Sequence, residues 1–258
     1  MELNEQIEWN ADLLCNFSEF FFGFKPYEYQ KRFLNACLTS NRVAGKFPRQ
    51  SGKSRIVAIY SLFKAITKPT SIVIVAPTQS QSSELYKKIR DMAIENAVIS
   101  PQLKKCTATE MVLDNGSRIL SLPCGPEGKT IRGYTADIAI IEEAGFMDDE
   151  IVNSVVIPMI ASKKKDGQVI KIGTPWTRNH FFRSCFVDKN YNVISISYPE
   201  VVSAGQYTQE FIDEQRTQML DIEFKTEYEA EFIDDMYAFF PLAVLENCKL
   251  NYSLIQTI

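Results

Sequence analysis

Residues 47–55 read FPRQSGKSR, and the end of this segment matches a phosphate-binding loop. The general pattern of such a loop is G-x-x-x-x-G-K-[ST], and Gly52, Lys53 and Ser54 supply its last three positions. Phe47 stands where the first glycine belongs. In a working loop, backbone N–H groups surround phosphate oxygens at a helix N-terminus, the lysine neutralises charge and the hydroxyl binds Mg²⁺. The alternative is a surface turn that contains lysine and serine by chance.

The sequence on both sides gives this segment a strand–loop–helix context. VAGKF precedes it, and SRIVAIYSLFKAI (54–66) has helical apolar spacing. Downstream, EMVLDNGSRILSL predicts a hairpin around Asn115-Gly116. Four further segments predict buried strands: SIVIVAP (71–77), DIAIIEE (137–143), QVIKIGTP and NVISISY. Three segments between and after them predict helices: SSELYKKIRDMAIENA (82–97), DDEIVNSVVIPMIAS and RNHFFRSCFV. This alternation predicts an α/β fold with a mainly parallel central sheet flanked by helices.

The composition is that of an ordinary globular protein of 258 residues with a formal net charge of −4. The six cysteines form no C-x-x-C pair, which disfavours a zinc site and a disulfide framework. The single histidine disfavours a histidine-based triad. No apolar run approaches the roughly 18 residues of a membrane helix and no signal pattern starts the chain, so we expect a cytosolic protein with no membrane contact.

Two basic runs, Lys104-Lys105 and residues 163–165, are candidates for contact with nucleic acid. A chain with a negative net charge needs local basic patches for such a role. Runs of this length are usually solvated, and we favour that interpretation here.

Three segments are expected along the chain. Residues 1–40 predict a helical lead that carries PYEYQ (26–30), and residues 41–202 contain the alternating strands and helices of the core. Residues 203–258 are more acidic and helical in pattern, as in TQEFIDEQRTQML and EFKTEYEAEFIDDM. They predict a smaller C-terminal lid or linker subdomain.

The strand DIAIIEE ends in two acids, Glu142 and Glu143. Hydrolysis of a nucleotide needs a carboxylate that holds the metal and a group that orients the attacking water. We expect Glu142 to complete the Mg²⁺ coordination begun by Ser54. Glu143 is expected to point to the other side of the strand and to polarise the water. The alternative is a pair of solvated acids at a strand end.

Two further polar residues are candidates for nucleotide contact. Thr174 in IKIGTPW follows a strand and would sense the γ-phosphate, although Gly-Thr-Pro is also ordinary turn chemistry. Gln30 in PYEYQ could hydrogen-bond an adenine edge, with Tyr27 or Tyr29 against the ring. A glutamine exposed on a helix surface is the alternative.

Arg49 and Arg132 are the candidate arginines for the charge of the γ-phosphate. Arg132 lies in the glycine-bracketed segment GKTIRGY, ahead of the acidic strand. From there it could reach the nucleotide of a neighbouring subunit as a trans-acting finger. An ordinary surface arginine is the alternative.

Together these segments resemble the ATPase domain of the large terminase subunit of tailed double-stranded DNA viruses. Residues 49–54 match the R-Q-x-G-K-[ST] loop typical of terminases. The other matching segments span nearly the whole chain and read PYEYQ, VAPTQSQSSE, TIRGYTADIAIIEEAGFM, IGTPW and TEYEAEF. The resemblance implies a P-loop NTPase fold of the additional-strand, catalytic-glutamate (RecA-like) type.

The resemblance also implies a function, an ATP-driven motor that moves double-stranded DNA into a capsid, with ATP and Mg²⁺ as ligands. Adenine contact is implied for Gln30, metal binding for Ser54 and Glu142, and the role of catalytic base for Glu143. Thr174 would couple hydrolysis to motion, and Arg132 would act in trans. The phosphates would be held by Arg49, Gln50, Ser51, Gly52, Lys53 and Ser54.

The implied partners are double-stranded DNA, the portal protein, the small terminase subunit and further copies of the chain in a ring, in the cytoplasm of the host. In isolation we expect a slow monomer. Two departures from the family stand out: Glu142 replaces the usual aspartate, and the nuclease domain that follows in large terminases is expected to be absent from this chain.

Two other functions remain open from the sequence. A helicase-like remodelling ATPase would share the adenine-reading glutamine and the acidic strand end, but a full helicase needs a second RecA-like domain. A nucleotide-binding docking scaffold with little hydrolysis is the other alternative, and the replacement at Glu142 supports it.

Overall fold

The computed structural model describes residues 10–123 and 133–232, and eight strands within these ranges form one sheet. The strands are β1 (Arg42–Lys46), β2 (Ser71–Ala76), β3 (Leu103–Cys106), β4 (Glu110–Leu113), β5 (Arg118–Pro123), β6 (Ile138–Glu142), β7 (Gln168–Gly173) and β8 (Asn192–Ser195). Their order across the sheet is β3-β4-β5-β2-β6-β7-β1-β8.

The central part of the sheet is parallel. β1 pairs with β7 and β8, β7 with β6, β6 with β2, and β2 with β5, all in parallel. β7 therefore lies between β1, which leads into the phosphate-binding segment, and β6, which carries the acids. This inserted strand is the additional strand that the predicted fold class requires.

The register brings three strand ends to one edge of the sheet. Lys46, the last residue of β1, pairs with Gly173, and Glu142, the last residue of β6, pairs with Ile172. Because the strands are parallel, the loops that follow β1, β6 and β7 leave the sheet side by side. Ligands bind at this end of open parallel sheets.

An antiparallel extension, β3-β4-β5, completes one side of the sheet. β4 and β5 pair directly through Met111 and Ile119, and the turn between them places Gly116 at φ 88°. The hairpin predicted around Asn115-Gly116 is therefore confirmed.

Helices cover both faces because alternate residues of each central strand point to opposite sides. Ile72 and Ile140 face one core cluster, and Val73 and Ile141 face the other. The helices are α1 (Ala11–Phe22), α2 (Glu28–Thr39), α3 (Lys53–Thr67), α4 (Gln79–Glu95), α5 (Asp149–Ile151), α6 (Ile157–Met159), α7 (His180–Phe186), α8 (Tyr198–Ser203), α9 (Gln209–Gln218) and α10 (Asp221–Glu227). A π-helical segment, Val152–Val156, joins α5 to α6. Within residues 10–123 and 133–232, no helix is long and apolar enough to span a bilayer.

The C-terminal helices share the core of the preceding part of the chain. Val201, Tyr207 and Phe224 belong to the same hydrophobic cluster as Phe33 of α2 and Ile56 of α3. The predicted helices after residue 203 are present, but α10 ends at Glu227, so TEYEAEF is helical only in its first residues. The boundaries after residues 40 and 202 stay predictions.

Candidate nucleotide-binding site

Phe47, which replaces the first glycine of the usual pattern, is a core residue. Its side chain is fully buried and its ring lies edge-on to Phe33, with centroids 5.2 Å apart. Its backbone amide donates to the carbonyl of Gly173 at 3.2 Å. The segment thus enters the site anchored to α2 and to the end of β7, and its unusual first residue is directed into the core.

Gly52 is the glycine that the segment requires. It has φ 82°, and a Cβ atom at this position would lie 2.6 Å from Nε2 of Gln30. A side chain would therefore meet both backbone strain and a buried neighbour. Gln50 also has a positive φ of 56°. Together these two residues turn the backbone tightly into α3.

The N-terminus of α3 is open to an anion. Gly52 is the N-cap residue, no side chain of the described residues caps the helix there, and the first turn carries no acidic residue. The first amides of a helix have no partner within the helix and carry a partial positive charge. This arrangement suits a phosphate group.

Lys53 lies between two carboxylates. Its Nζ atom forms an ion pair with Glu143 and lies 3.8 Å from the carboxylate of Glu142. Burial alone would lower the pKa of Lys53, but the two carboxylates outweigh it and the pKa is raised above its usual value. The lysine is therefore a fixed positive charge at the start of α3.

Glu142 and Ser54 bring side-chain oxygen atoms together at the start of α3. Ser54 Oγ donates to Glu142 Oε1 at 3.1 Å, and within the described residues the buried Oε2 atom accepts no hydrogen bond. Burial raises the pKa of the Glu142 carboxyl above its usual value, although nearby Lys53 opposes this. Carboxylate and hydroxyl oxygens are ligands that Mg²⁺ prefers, so the residues present fit that ion.

The predicted direction of Glu143 is wrong. The residue was expected on the opposite side of the strand from Glu142, but both carboxylates approach Lys53. The reason is the backbone: β6 ends at Glu142, and Glu143 adopts the left-handed conformation with φ 51° and ψ 46°. The alternation of a strand therefore no longer applies to it.

Gln30 and Tyr29 lie beneath the phosphate-binding segment. Gln30 is fully buried; its Nε2 donates to the carbonyl of Ser51 at 3.1 Å, and its Oε1 accepts from the amide of Tyr27 at 3.0 Å. Tyr29 donates its hydroxyl to the same Ser51 carbonyl at 2.9 Å. Both side chains thus bind the protein backbone in this structure, and adenine contact by Gln30 stays a prediction.

Three residues from the C-terminal part of the chain hold the same segment: Gln206 and Tyr207, between α8 and α9, and Glu227, at the end of α10. Gln206 Nε2 donates to the carbonyl of Gln50 at 2.6 Å, and the hydroxyl of Tyr207 donates to the carbonyl of Arg49. The amide of Arg49 donates to the carbonyl of Glu227 at 2.8 Å. Sequence reasoning missed these three residues as parts of the site, and only the resemblance of TEYEAEF pointed to one of them.

Arg49 and Thr174 occupy different surroundings. The guanidinium of Arg49 is largely exposed and lies 3.7 Å from the carboxylate of Glu227. Thr174 is buried directly after β7, at the same sheet edge as Glu142. Arg132 falls outside the described residues.

Two cavities adjoin these residues. The smaller, of about 150 Å³, lies at the two acids and receives Gln81 and Glu84 from α4, two residues that sequence reasoning did not single out. The larger, a cleft of about 730 Å³, separates the start of α2 from α8 and is lined by Tyr27, Tyr29 and Pro199 among others.

Comparison with known proteins shows the family to which the chain is related. The family described as terminase large subunit, T4likevirus-type, N-terminal, matches residues 45–246. The large terminase subunit of Thermus virus P23-45 is 24% identical over 244 residues, which cover 82% of this chain and 49% of that protein. The chain thus spans about half the length of this relative.

Two solved structures confirm the fold. The large terminase ATPase domain of Thermus phage P74-26 aligns with a TM-score of 0.72 at 20% identity, over 84% of this chain and 98% of that one. The large terminase of a thermophilic bacteriophage, in complex with ADP, aligns with a TM-score of 0.62 at 12% identity, over 81% of this chain and 54% of that one. The family match covers the phosphate-binding segment, the two acids and the strand end at Thr174, and the chain belongs to the N-terminal domain family of T4-like-type terminase large subunits.

Proposed function

We propose that this chain binds ATP with Mg²⁺ and hydrolyses it as the motor domain of a viral DNA-packaging terminase. The observation that carries the proposal is Lys53 at the start of α3, paired with both Glu143 and Glu142, with Ser54 bound to Glu142. A lysine, a hydroxyl and two acids in one cluster are the groups that phosphoryl transfer to water requires. Membership of the terminase family supports this assignment.

The phosphate groups would lie over the N-terminus of α3. Their oxygens would accept from the backbone amides of the segment and from Lys53, and Arg49 would add a second positive charge. The remaining residues of the phosphate site are Gln50, Ser51, Gly52 and Ser54. Mg²⁺, held by Ser54 and Glu142, would neutralise charge on the phosphates.

Glu143 would orient and deprotonate the attacking water. In the present structure its carboxylate is paired with Lys53. Phosphate oxygens that enter beside Lys53 would compete for the ammonium group and leave Glu143 available to a water molecule. The ion pair therefore holds the base in place until the substrate is bound.

The base of the nucleotide would occupy the cleft between α2 and α8. Tyr27 and Tyr29 line it, and their rings are nearly parallel with centroids 5.7 Å apart. Contact between Gln30 and an adenine edge would require its amide to give up the bond to Tyr27 or to Ser51. Gln30 would then connect base binding to the position of Ser51.

The remaining parts of the proposal concern the assembled machine. We propose that Thr174 couples hydrolysis to movement, that Arg132 reaches a neighbouring active site, and that the assembled chain works as a ring with the portal protein and the small subunit on double-stranded DNA. The ADP complex of the thermophilic bacteriophage's terminase supports nucleotide binding by analogy. Action in the host cytoplasm belongs to the same proposal, and nuclease activity is not part of it.

ATP turnover with and without double-stranded DNA tests this function. We expect Lys53→Ala and Glu143→Ala to abolish turnover, and Glu143→Ala to keep nucleotide affinity because the phosphate contacts remain. Lys189→Ala and Glu210→Ala, which remove exposed charges of the same types elsewhere, are the matched controls. Wild-type turnover no higher than that of the two site variants would favour a nucleotide-binding scaffold. Turnover stimulated only by single-stranded nucleic acid would favour a remodelling ATPase.

A further inference from the structure

The turn that follows Glu143 is short and closely packed. A 3-10 helix, Ala144–Phe146, begins directly after Glu143, and the amide of Phe146 donates to the carbonyl of Glu143 at 2.9 Å. Glu143 itself has a left-handed backbone, which non-glycine residues adopt only when their surroundings impose it. The direction of its carboxylate therefore depends on what holds this turn in place.

One side chain, Asn179, holds it. Its Nδ2 atom donates to the carbonyls of Gly145 at 2.8 Å and Ala144 at 3.3 Å, and a third carbonyl, that of Met147, lies 3.5 Å away. Nδ2 is the end of the amide that can donate, so these carbonyl partners fix its orientation.

The other end of the same amide caps α7. Asn179 Oδ1 accepts from the amides of Phe181 at 2.9 Å and Phe182 at 3.4 Å, and Asn179 is the N-cap residue of that helix. One residue thus joins the turn after β6 to the helix after β7. Asp149 adds a second connection, because its Oδ1 accepts from the amide of His180 at 2.6 Å.

The loop after β7 touches the same turn. A Cβ atom at Gly145 would lie 2.4 Å from the carbonyl of Thr174, so only glycine permits this approach. Beside it, the rings of Phe146 and Trp176 lie with centroids 5.2 Å apart. The turn is therefore enclosed between the Thr174 loop and Asn179.

We propose that Asn179 is a positioning residue for the hydrolysis reaction, and that it acts by holding the turn 144–147 so that Glu143 faces the phosphate site. This rests on the proposed ATPase function. The contacts of Asn179 are with backbone groups of the turn and of α7, so its effect on the reaction would pass through Glu143. Without the bonds that its Nδ2 atom donates to Gly145 and Ala144, the backbone of Glu143 would relax from the left-handed region and its carboxylate would leave Lys53.

Two substitutions separate this role from the capping of α7. Aspartate and serine are both good N-cap residues, so Asn179→Asp and Asn179→Ser keep an acceptor for the helix amides but lose the Nδ2 donor. Asn10, the N-cap residue of α1, caps its helix in the same way, because its Oδ1 accepts from the amide of Leu13 at 2.9 Å. Asn10→Asp and Asn10→Ser are therefore matched controls.

We expect both Asn179 variants to lower kcat by about tenfold or more, as befits a misplaced general base. The affinity for a non-hydrolysed ATP analogue and the melting temperature should stay close to those of the wild type. The Asn10 controls should keep wild-type kcat. Unchanged kcat in both Asn179 variants, or a loss of kcat accompanied by an equal loss of analogue binding or by unfolding, would overturn the proposal.

A second readout does not depend on catalysis. The sequence contains two tryptophans, so Trp9→Phe leaves Trp176 as the sole reporter beside the turn. In that background, acrylamide should quench Trp176 more strongly in the Asn179 variants than in the unsubstituted protein. If the wild type lacks turnover, the proposed function fails and the quenching experiment alone tests the role of Asn179. Equal quenching in the Asn179 variants and the unsubstituted protein would overturn the positioning role. Stronger quenching in the variants would support it.

Discussion

Arg49 and Glu227 are joined through both backbone and side chain. The Arg49 amide donates to the Glu227 carbonyl at 2.8 Å, and the guanidinium lies 3.7 Å from the Glu227 carboxylate. The start of the phosphate-binding segment is thus attached to the end of α10. An arginine proposed to bind phosphate is already engaged by an anion of the protein itself.

Removal of that anion should strengthen nucleotide binding. In Glu227→Gln the backbone bond remains, but the Glu227 carboxylate no longer competes with the phosphate groups of the nucleotide for the guanidinium of Arg49. We expect affinity for an ATP analogue to rise by about two- to threefold, since an exposed ion pair contributes up to about 1 kcal/mol. Fluorescence titration measures this. Glu229→Gln, which breaks the ion pair with Arg216, is the control and should leave affinity unchanged. Weaker binding by Glu227→Gln would show that Glu227 assists the nucleotide.

Neutralising Glu142 should leave the stability of the fold intact but weaken the binding of Mg²⁺. Burial raises the pKa of this carboxyl, so its ionised form is unfavourable in the fold. Glu142→Gln should therefore melt at the same temperature as the wild type or higher. Its turnover should require about tenfold more Mg²⁺ or be lost, because a carboxylate ligand is missing. Titration of activity with Mg²⁺ and calorimetry test both parts, and Glu142→Asp, which keeps the charge, is the control. A lower melting temperature with an unchanged Mg²⁺ requirement would contradict the prediction.

His180 should make the fold sensitive to mild acid. Burial, with a contribution from Lys171, lowers its pKa from 6.5 to about 3. Because the folded-state value is the lower one, stability is complete above pH 6.5 and falls as the pH decreases below it, by up to about 1.4 kcal/mol per unit. Between pH 7.5 and pH 5, the wild type should lose about 2 kcal/mol more than His180→Leu. Urea denaturation at several pH values measures the difference, and identical pH profiles would refute it.

The hydroxyl of Tyr29 should matter for the nucleotide as well as for the fold. It donates to the Ser51 carbonyl and lies 3.0 Å from Oε1 of Gln206. Tyr29→Phe should cost about 1 kcal/mol of stability, as the loss of a buried hydrogen bond does. Its affinity for an ATP analogue should fall too, since Ser51 is less firmly held.

Tyr60→Phe is the matched control for that prediction. Its hydroxyl is buried and donates to Gln168 Oε1 at 2.6 Å, away from the phosphate-binding segment. It should lose similar stability and keep nucleotide affinity. Equal effects of the two substitutions on affinity would mean that Tyr29 acts only through the stability of the fold.

Much of the fold could be predicted because its signals are local. The apolar runs 71–77 and 137–143 became β2 and β6, and Asn115-Gly116 formed the hairpin turn. The segment 49–54 and the two acids could be recognised as a candidate site for the same reason, and the structure brings them together. A short pattern with a backbone requirement, such as Gly52 before a helix, is visible in the residues themselves.

The contacts that complete the site could not be predicted, because they join distant residues through single hydrogen bonds. Gln206 and Gln50 are 156 residues apart, and Asn179 lies 34 residues after Gly145. The hydrophobic periodicity of the sequence carries no information about such pairs. The direction of Glu143 was missed because strand alternation was extended one residue beyond the strand, to a position where the backbone turns left-handed.

The outermost strand, β3, has a consequence for the behaviour of the protein at high concentration. Among residues 10–123 and 133–232, β4 is the only strand that pairs with it, and a register shift between Leu103 and Lys105 lets the consecutive residues Lys104 and Lys105 both remain exposed. Lysines and bulges on an edge strand hinder its pairing with a strand of another chain. These lysines thus protect the edge of the sheet against aggregation.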